Sequence, residues 1–347
     1  MKLFRFTVLV CIIVGLSGSL KAQEDQDTLV EGWNTSISIG LDLAQLFQLN
    51  PKQGAGQNNF GFGGAIFGDA VYKKNRLLWE NGASWQVGLQ KVGAGLILIP
   101  PVSLGQEGRL EKVPFQKNID ELRLGSKLGY ALDRKRKWYA TGAFTLFTNT
   151  LRTFPGPQTY PGNFLRNIVD TLTNTAFFNP AFITLSVGVE FKPDEHWSFY
   201  YSPIGAKWIV VPDDQIAALG IHGNPVRGER DPVTGLFTDF DNVDRQFGSL
   251  FRAAYQNKFW KDRLFVRSSL LLYSNYLRNP QNIDVDWTNE LSLEVFKGLK
   301  LTFLLNLFYD DDVLVQITDY DAPGGVRGLG KRISLTQQFL VNYKITF

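Results

Sequence analysis

The 347-residue sequence has one cysteine, one methionine and two histidines. The cysteine, Cys11, lies within an apolar run over residues 6–16 that follows a basic start with Lys2 and Arg5. That run has the length of a signal-peptide core, with Leu20-Lys21-Ala22-Gln23 as its cleavage site; a membrane-spanning helix needs roughly 20 apolar residues. A lipid-bearing cysteine would follow the core, not sit inside it, so Cys11 does not read as an anchor. The expected organisation is a signal peptide over 1–22, a short periplasmic segment over 23–31 and one domain over 32–347. The exported chain then contains no cysteine, which excludes a disulfide framework and any cysteine-based zinc site. Excess charge is also lacking. The formal charge is +3, and removing Lys2, Arg5 and Lys21 with the leader takes it to about zero (3 − 3). No nucleic-acid partner is expected from such a balance. No apolar run after the leader approaches the length of a membrane helix.

What is present is alternation. The last ten residues read QFLVNYKITF, with Phe339, Val341, Tyr343, Ile345 and Phe347 on every second position. Residues 283–295 put apolar side chains mostly on odd positions and polar ones on even positions. Successive residues of a strand point to opposite faces, so such a segment has one oily and one wet face. About twelve segments of this kind follow one another: 33–47, 59–73, 77–91, 119–132, 138–151, 181–192, 197–210, 246–259, 263–276, 283–295, 299–309 and 333–347. Pro203 and Gly205 mark a bulge in the seventh, without which Lys207 would fall on the apolar side.

The connections alternate as well. Those at 74–76, 133–137, 193–196, 260–262 and 297–298 are tight. Those at 48–58, 92–118, 152–180, 211–245 and 310–332 are long, and 277–281 is a short exception. Short turns at one end and long loops at the other are the pattern of an up-and-down transmembrane barrel of the outer membrane, with periplasmic turns and external loops. Trp33, Trp79, Trp138 and Trp197 lie at the starts of odd-numbered segments and Trp260 lies just past the end of an even one, so all five fall on the periplasmic rim. An indole favours that interface because its ring is apolar and its N–H needs a partner. The expected fold class is therefore an all-β, antiparallel, up-and-down transmembrane β-barrel of about twelve strands. Its last strand must pair with its first, because lipid cannot satisfy an open edge.

Several stretches resemble a Bacteroidetes family of outer-membrane β-barrel proteins known only as a domain of unknown function. They are Gly32-Trp33, Tyr72-Lys73-Lys74 with Trp79-Glu80-Asn81, Tyr200-Tyr201-Ser202-Pro203, Leu272-Tyr273-Ser274-Asn275-Tyr276, Asp284-Val285-Asp286-Trp287 and Phe308-Tyr309-Asp310-Asp311-Asp312. The resemblance implies a fold and a compartment, the cell outer membrane, and no catalytic residues. The ending Tyr343, Ile345, Phe347 resembles the signal by which outer-membrane proteins are recognised. This implies the barrel-assembly machinery as a partner during insertion, alongside outer-membrane lipid and lipopolysaccharide.

No enzyme is expected. A serine nucleophile needs a base within hydrogen-bond reach, and His196 and His222 both fall in connections, where they read as solvated. The stretch at 325–331 has the glycines and lysine of a phosphate-binding loop, but Arg332 replaces the required hydroxyl and no helix follows. Asp239, Asp241 and Asp244, and Asp310 to Asp312, are acidic clusters without the full spacing of a calcium loop. They read as solvated carboxylates, and no metal or cofactor is expected.

The even positions of the eighth and tenth segments carry the chemistry that remains. Arg252, Gln256 and Lys258, then Asp284, Asp286, Glu290 and Glu294, are expected to line the lumen. Glu121, Arg123 and Lys127 of the fourth join them, as does Arg267 of the ninth, which should lie near Glu290. Small residues at 61, 63, 65, 82, 84 and 88 leave room on one side. Two readings stay open: a pore whose selectivity these charges set, or a closed barrel, plugged by their pairing, that serves as scaffold, receptor or subunit for an envelope partner.

Overall fold

A computed structural model describes residues 31–49, 59–90, 96–99, 107–112, 114–156, 163–168, 172–297, 299–311, 315–319, 326–343 and 345–346. Residues 1–30, which hold the expected signal peptide and Cys11, and Phe347 lie outside the described residues. Twelve long strands dominate. They are β1 (Gly32–Leu49), β2 (Asn59–Lys74), β3 (Leu77–Gln90), β4 (Gln116–Ala131), β5 (Trp138–Thr148) and β6 (Ala181–Phe191). They continue as β7 (Trp197–Val210), β8 (Val243–Phe259), β9 (Leu264–Asn275), β10 (Asp284–Phe296), β11 (Leu299–Tyr309) and β12 (Ser334–Tyr343).

Every strand pairs antiparallel with the next in sequence, and β12 pairs with β1 through Ala44–Leu340 to Leu49–Leu335. Ile345–Thr346 extends that last pairing, with Ile39 opposite Ile345. The ladder thus returns to its start as an up-and-down barrel, the fold the alternation predicts, with the closing seam paired at residues 44–49 and 38–39 of β1. The register follows the pleat. Asp286 faces Phe308, Arg267 faces Glu290 and Tyr273 faces Asp284. The expected bulge in β7 is present: the two residues between Ser202 and Gly205 stand against the one between Leu250 and Gly248.

Tight turns use backbone that few side chains favour. Asn75, Arg136 and the run Trp260-Lys261-Asp262 all have positive φ, the left-handed region used in reversals of this kind. Asp133 Oδ1 accepts from the Lys137 and Trp138 amides at 2.9 Å each, and these bonds hold its carboxyl below the usual range. The long connections carry added structure, including the hairpins Leu96–Ile99/Arg109–Lys112, Val226–Arg230/Phe237–Phe240 and Val315–Thr318/Val326–Gly330. One four-residue helix, Asp214–Ala217, is N-capped by Asp213. The 325–331 stretch thus enters a hairpin strand, Val326–Gly330, and no helix follows it among the described residues.

One face of the strands is apolar and exposed. Leu41 is 76% exposed, Val187 63% and Ile37 54%. Leu185, Val189, Tyr201, Phe247, Trp287, Leu291 and Phe339 continue it. An exposed apolar face of this extent marks a surface that meets a membrane or another apolar surface.

Candidate functional site

The opposite face carries the charges, and they converge. Lys127 of β4 places its Nζ 2.6 Å from Glu80 Oε2 of β3 and 2.8 Å from Glu190 Oε1 of β6. Lys192, just past β6, lies 3.3 Å from Glu80 and 3.7 Å from Glu190. Ser198 of β7 donates to Glu190 at 2.6 Å. Glu190 is buried. A carboxylate can be buried when ammonium groups and hydroxyl donors replace its water, and this cluster does so near the tight-turn end.

Farther along the strands, Arg123 pairs with Glu121 at 2.9 Å and stacks 4.6 Å over Phe147 of β5. Arg267 lies over Phe265 at 5.2 Å and opposite Glu290, which accepts from Ser292 at 3.0 Å. Tyr200, Leu250 and Tyr273 are buried together, with Ala143 and Leu271 against them. Arg252 is the β8 partner of Tyr200. A different wall faces this one. In β2 and β3, Gly63 pairs with Gly88 so closely that a Cβ on Gly63 would lie 2.6 Å from the Val87 carbonyl oxygen. Ala65, Gly82, Ser84 and Gly125 belong to the same thin side.

At the loop end, Lys207 of β7 lies 3.7 Å from Asp284 and 3.5 Å from Asp310. Its Nζ also sits 5.4 Å from the centre of the Tyr273 ring. The bulge puts it there, as the sequence implies. Carboxylate oxygens of Asp284, Asp310 and Asp311 lie within 4.8 Å of one another. The expectation that Asp310 and Asp311 are merely solvated is corrected here, because Asp310 is buried. The other acidic group is not a unit. Arg227 takes Asp239 and Asp241, whereas Asp244 is bound by Arg278 and Gln246. The β10–β11 register, with Val285 opposite Tyr309, brings Asp284 to Asp310.

The long connections grip one another. Asp120, near the start of β4, accepts from the Thr150 and Leu151 amides at 2.8 Å each. Lys117 bonds Asp120 at 2.9 Å and Thr175 at 3.0 Å. Val211, Ile216 and Ala217 are buried with Ala176 and Phe240 against them. His222 does not behave as a solvated loop histidine. Its Nε2 is 2.7 Å from the Asn174 carbonyl oxygen, to which it donates. Burial pushes its pKa down to about 4, since a charged imidazolium there would lose its water. His196 stays in the turn before β7, 3.8 Å from Glu195.

Trp33, Trp79, Trp138, Trp197 and Trp260 are exposed, and the first four cluster with other rings. Trp33 lies 5.1 Å from Tyr72 and 5.6 Å from Trp79, Trp138 stacks on Phe191 at 4.4 Å and Trp197 lies 4.7 Å from Tyr255. Trp260 projects from its turn. Trp85 and Trp287 are exposed on the same face, each with its indole N–H bonded to a hydroxyl. Lys258 and Glu294 lie toward the tight-turn ends of β8 and β10. Tyr343 lies opposite Leu299 of β11, and Ile345 opposite Ile39 in the closing pairing with β1.

A family model described as a protein of unknown function matches residues 47–154. That span includes two of the stretches on which the resemblance rests, at 72–74 and 79–81. No curated protein matches the sequence. Among solved structures, an outer-membrane channel from Pseudomonas putida is 11% identical over 92% of this chain and 99% of its own, with a TM-score of 0.35. The NanC porin is 8% identical over 88% of this chain and 100% of its own, at 0.38. The translocator domain of the autotransporter NalP from Neisseria meningitidis is 7% identical over 92% and 90%, also at 0.38.

Proposed function

We propose that the chain is an integral outer-membrane β-barrel that acts as a non-enzymatic channel for small polar solutes. The observation that carries this is the split between its two faces. The same strands expose an apolar surface on one side and, on the other, join ions from strands that are not neighbours. Charges converging across intervening strands belong to a concave interior, so Glu121, Arg123, Lys127, Arg252, Lys258, Arg267, Asp284, Asp286, Glu290 and Glu294 line the lumen in this reading. The thin glycine-rich wall of β2 and β3 leaves space beside the packed Tyr200–Leu250–Tyr273 side. The tryptophan rim sits at the periplasmic headgroup level, outer-membrane lipid and lipopolysaccharide cover the apolar face, and the assembly machinery reads the chain's last residues. A cleaved leader and a Bacteroidetes origin complete the picture.

A second reading has its own support. Lys127 with Glu80 and Glu190, and Lys207 with Asp284 and Asp310, are satisfied internally, and the external connections hold one another. A barrel filled in this way would be a platform for an envelope partner. Single-channel conductance of the refolded chain in a planar bilayer separates the two. Stable steps whose ion selectivity shifts with Arg252→Ala, Arg267→Ala or Glu290→Gln support the channel. A folded, heat-modifiable but silent barrel would overturn it in favour of the platform.

A further inference from the structure

We propose that the tight-turn rim from β2 to β5 is a docking surface for the headgroups of anionic phospholipids. The proposal rests on the barrel reading and is independent of whether the lumen conducts. The turn between β4 and β5 reads Asp133-Arg134-Lys135-Arg136-Lys137, and its four cations are exposed. Lys74 and Arg76, in the turn between β2 and β3, are exposed as well. The two turns are neighbours. β3 pairs with β4 from Leu77 opposite Tyr130 onward, and the Ala131 amide donates to the Arg76 carbonyl oxygen at 2.8 Å. Six cations are thereby brought to one stretch of rim.

At the loop end, exposed cations are answered from within the chain. Arg227 is held by Asp239 and Asp241, Arg278 by Asp244, and Arg166 by Glu111. None of the six rim cations makes an ion pair among the described residues. Two acids stand near them. One oxygen of Asp133 is taken by the Lys137 and Trp138 amides, and Glu31 lies 3.4 Å from the Asn75 amide. Two carboxylates against six cations leave the patch positive, and such a surface draws an anionic partner.

The level of the patch says which anion. Trp79 and Trp138 are exposed at the starts of the strands that leave these two turns, and indoles of a membrane barrel sit among the headgroups. Cations immediately beyond them stand at the height of the lipid phosphates. Leu128, Tyr130 and Leu132 are exposed at the end of β4, so apolar surface runs up to the charged turn. A phospholipid meets both parts at once, its acyl chain on the apolar side chains and its phosphate on the guanidinium forks and ammonium groups. A soluble anionic glycan would gain only the second. Each lysine or arginine beside an anionic membrane surface strengthens attachment about fivefold.

Native mass spectrometry of the refolded full chain, released from nonionic detergent, tests the proposal. Phosphatidylglycerol and phosphatidylcholine with the same acyl chains are titrated in turn, and the first bound lipid is read. Phosphatidylglycerol is expected to bind at least tenfold more tightly. Arg134→Gln, Lys135→Gln and Lys137→Gln together should cut that preference at least fivefold; Arg136 is kept because its positive φ shapes the turn. Lys261→Gln, Arg263→Gln and Lys297→Gln together, on more distant turns, should change it less than twofold. Equal losses in the two triple variants would overturn the site in favour of a general charge effect. Tighter retention of lipopolysaccharide than of phosphatidylglycerol, or capture of soluble peptidoglycan fragments without a lipid preference, would overturn the choice of partner. A chain without heat-modifiable mobility would remove the barrel reading and the proposal together, whereas a heat-modifiable barrel without the preference would overturn the proposal alone.

Discussion

Lys127 and Glu190 meet at 2.8 Å although a whole strand, β5, runs between theirs. The contact closes over Tyr139 of β5, whose ring lies 5.4 Å from the Nζ of Lys192. It makes one wall of four neighbouring strands into a single electrostatic unit with Glu80 at its other end.

Removing the central cation should therefore cost stability. Lys127→Met leaves Glu190 buried with only Lys192 and Ser198 to answer it. Breaking a fully buried pair costs about 3–5 kcal/mol; Lys127 is partly exposed, so about 2 kcal/mol is expected, read as a lower urea midpoint of the heat-modifiable band. The double variant with Glu190→Gln should lose less than the sum of the singles.

A glycine test separates packing from charge. A Cβ on Gly188 would stand 2.0 Å from the Tyr201 carbonyl oxygen and 2.7 Å from the Ser202 Cα. Gly188→Ala must push β6 and β7 apart and should destabilise by about 2–3 kcal/mol. Gly125→Ala, with nothing within 4 Å of the new methyl, should stay within about 0.5 kcal/mol. Parallel denaturation curves decide it.

Acid should loosen the external connections through His222. Its pKa in the folded chain is about 4, below the ordinary 6.5. The opened form therefore takes the proton first. Stability of the closed form is intact above pH 6.5, falls as pH drops towards 4, and falls no further below. Limited proteolysis within residues 172–180 and 211–242 should rise across that window. In His222→Gln the rise should flatten; an unchanged profile would assign the effect to other groups.

The chain's final aromatic is expected to matter for assembly. Replacing Phe347 by aspartate should reduce the folded, heat-modifiable fraction in outer membranes while the precursor is still exported. A normal folded yield would remove the role given to the terminal Tyr343, Ile345 and Phe347.

Much of the fold was legible because the period of two is written residue by residue. In β10 the parity of Asp284, Asp286, Glu290 and Glu294 requires no tertiary information, and the short connection at 277–281 restricts the register that sets Arg267 opposite Glu290. The bulge at Pro203 and Gly205 was legible for the same reason, since Lys207 otherwise broke the pattern. What could not be read is contact between elements far apart in sequence. Glu80 and Glu190 look like unrelated surface acids until Lys127 joins them. His222 looked solvated because a loop's own sequence does not reveal which neighbour covers it, and Asn174 lies 48 residues away. Asp239, Asp241 and Asp244 look like one cluster but alternate along the chain, so that Asp244 turns to Arg278.

The bulge in β7 has a consequence for how such a barrel can change. Below Ser202 the even residues Ser198 and Tyr200 share a face with Glu190 and Ser186; above Gly205 the odd residue Lys207 takes that role. The extra residue works as a phase shifter, giving the two halves of one strand separate reading frames. A lineage could invert everything the upper half presents, at the mouth alone, by gaining or losing one residue there, while the lower half and its ion cluster kept their places. Deleting a single residue between Ser202 and Gly205 would be a larger event than any substitution in that strand. It would turn Lys207 towards lipid and bring Trp208 inside in one step.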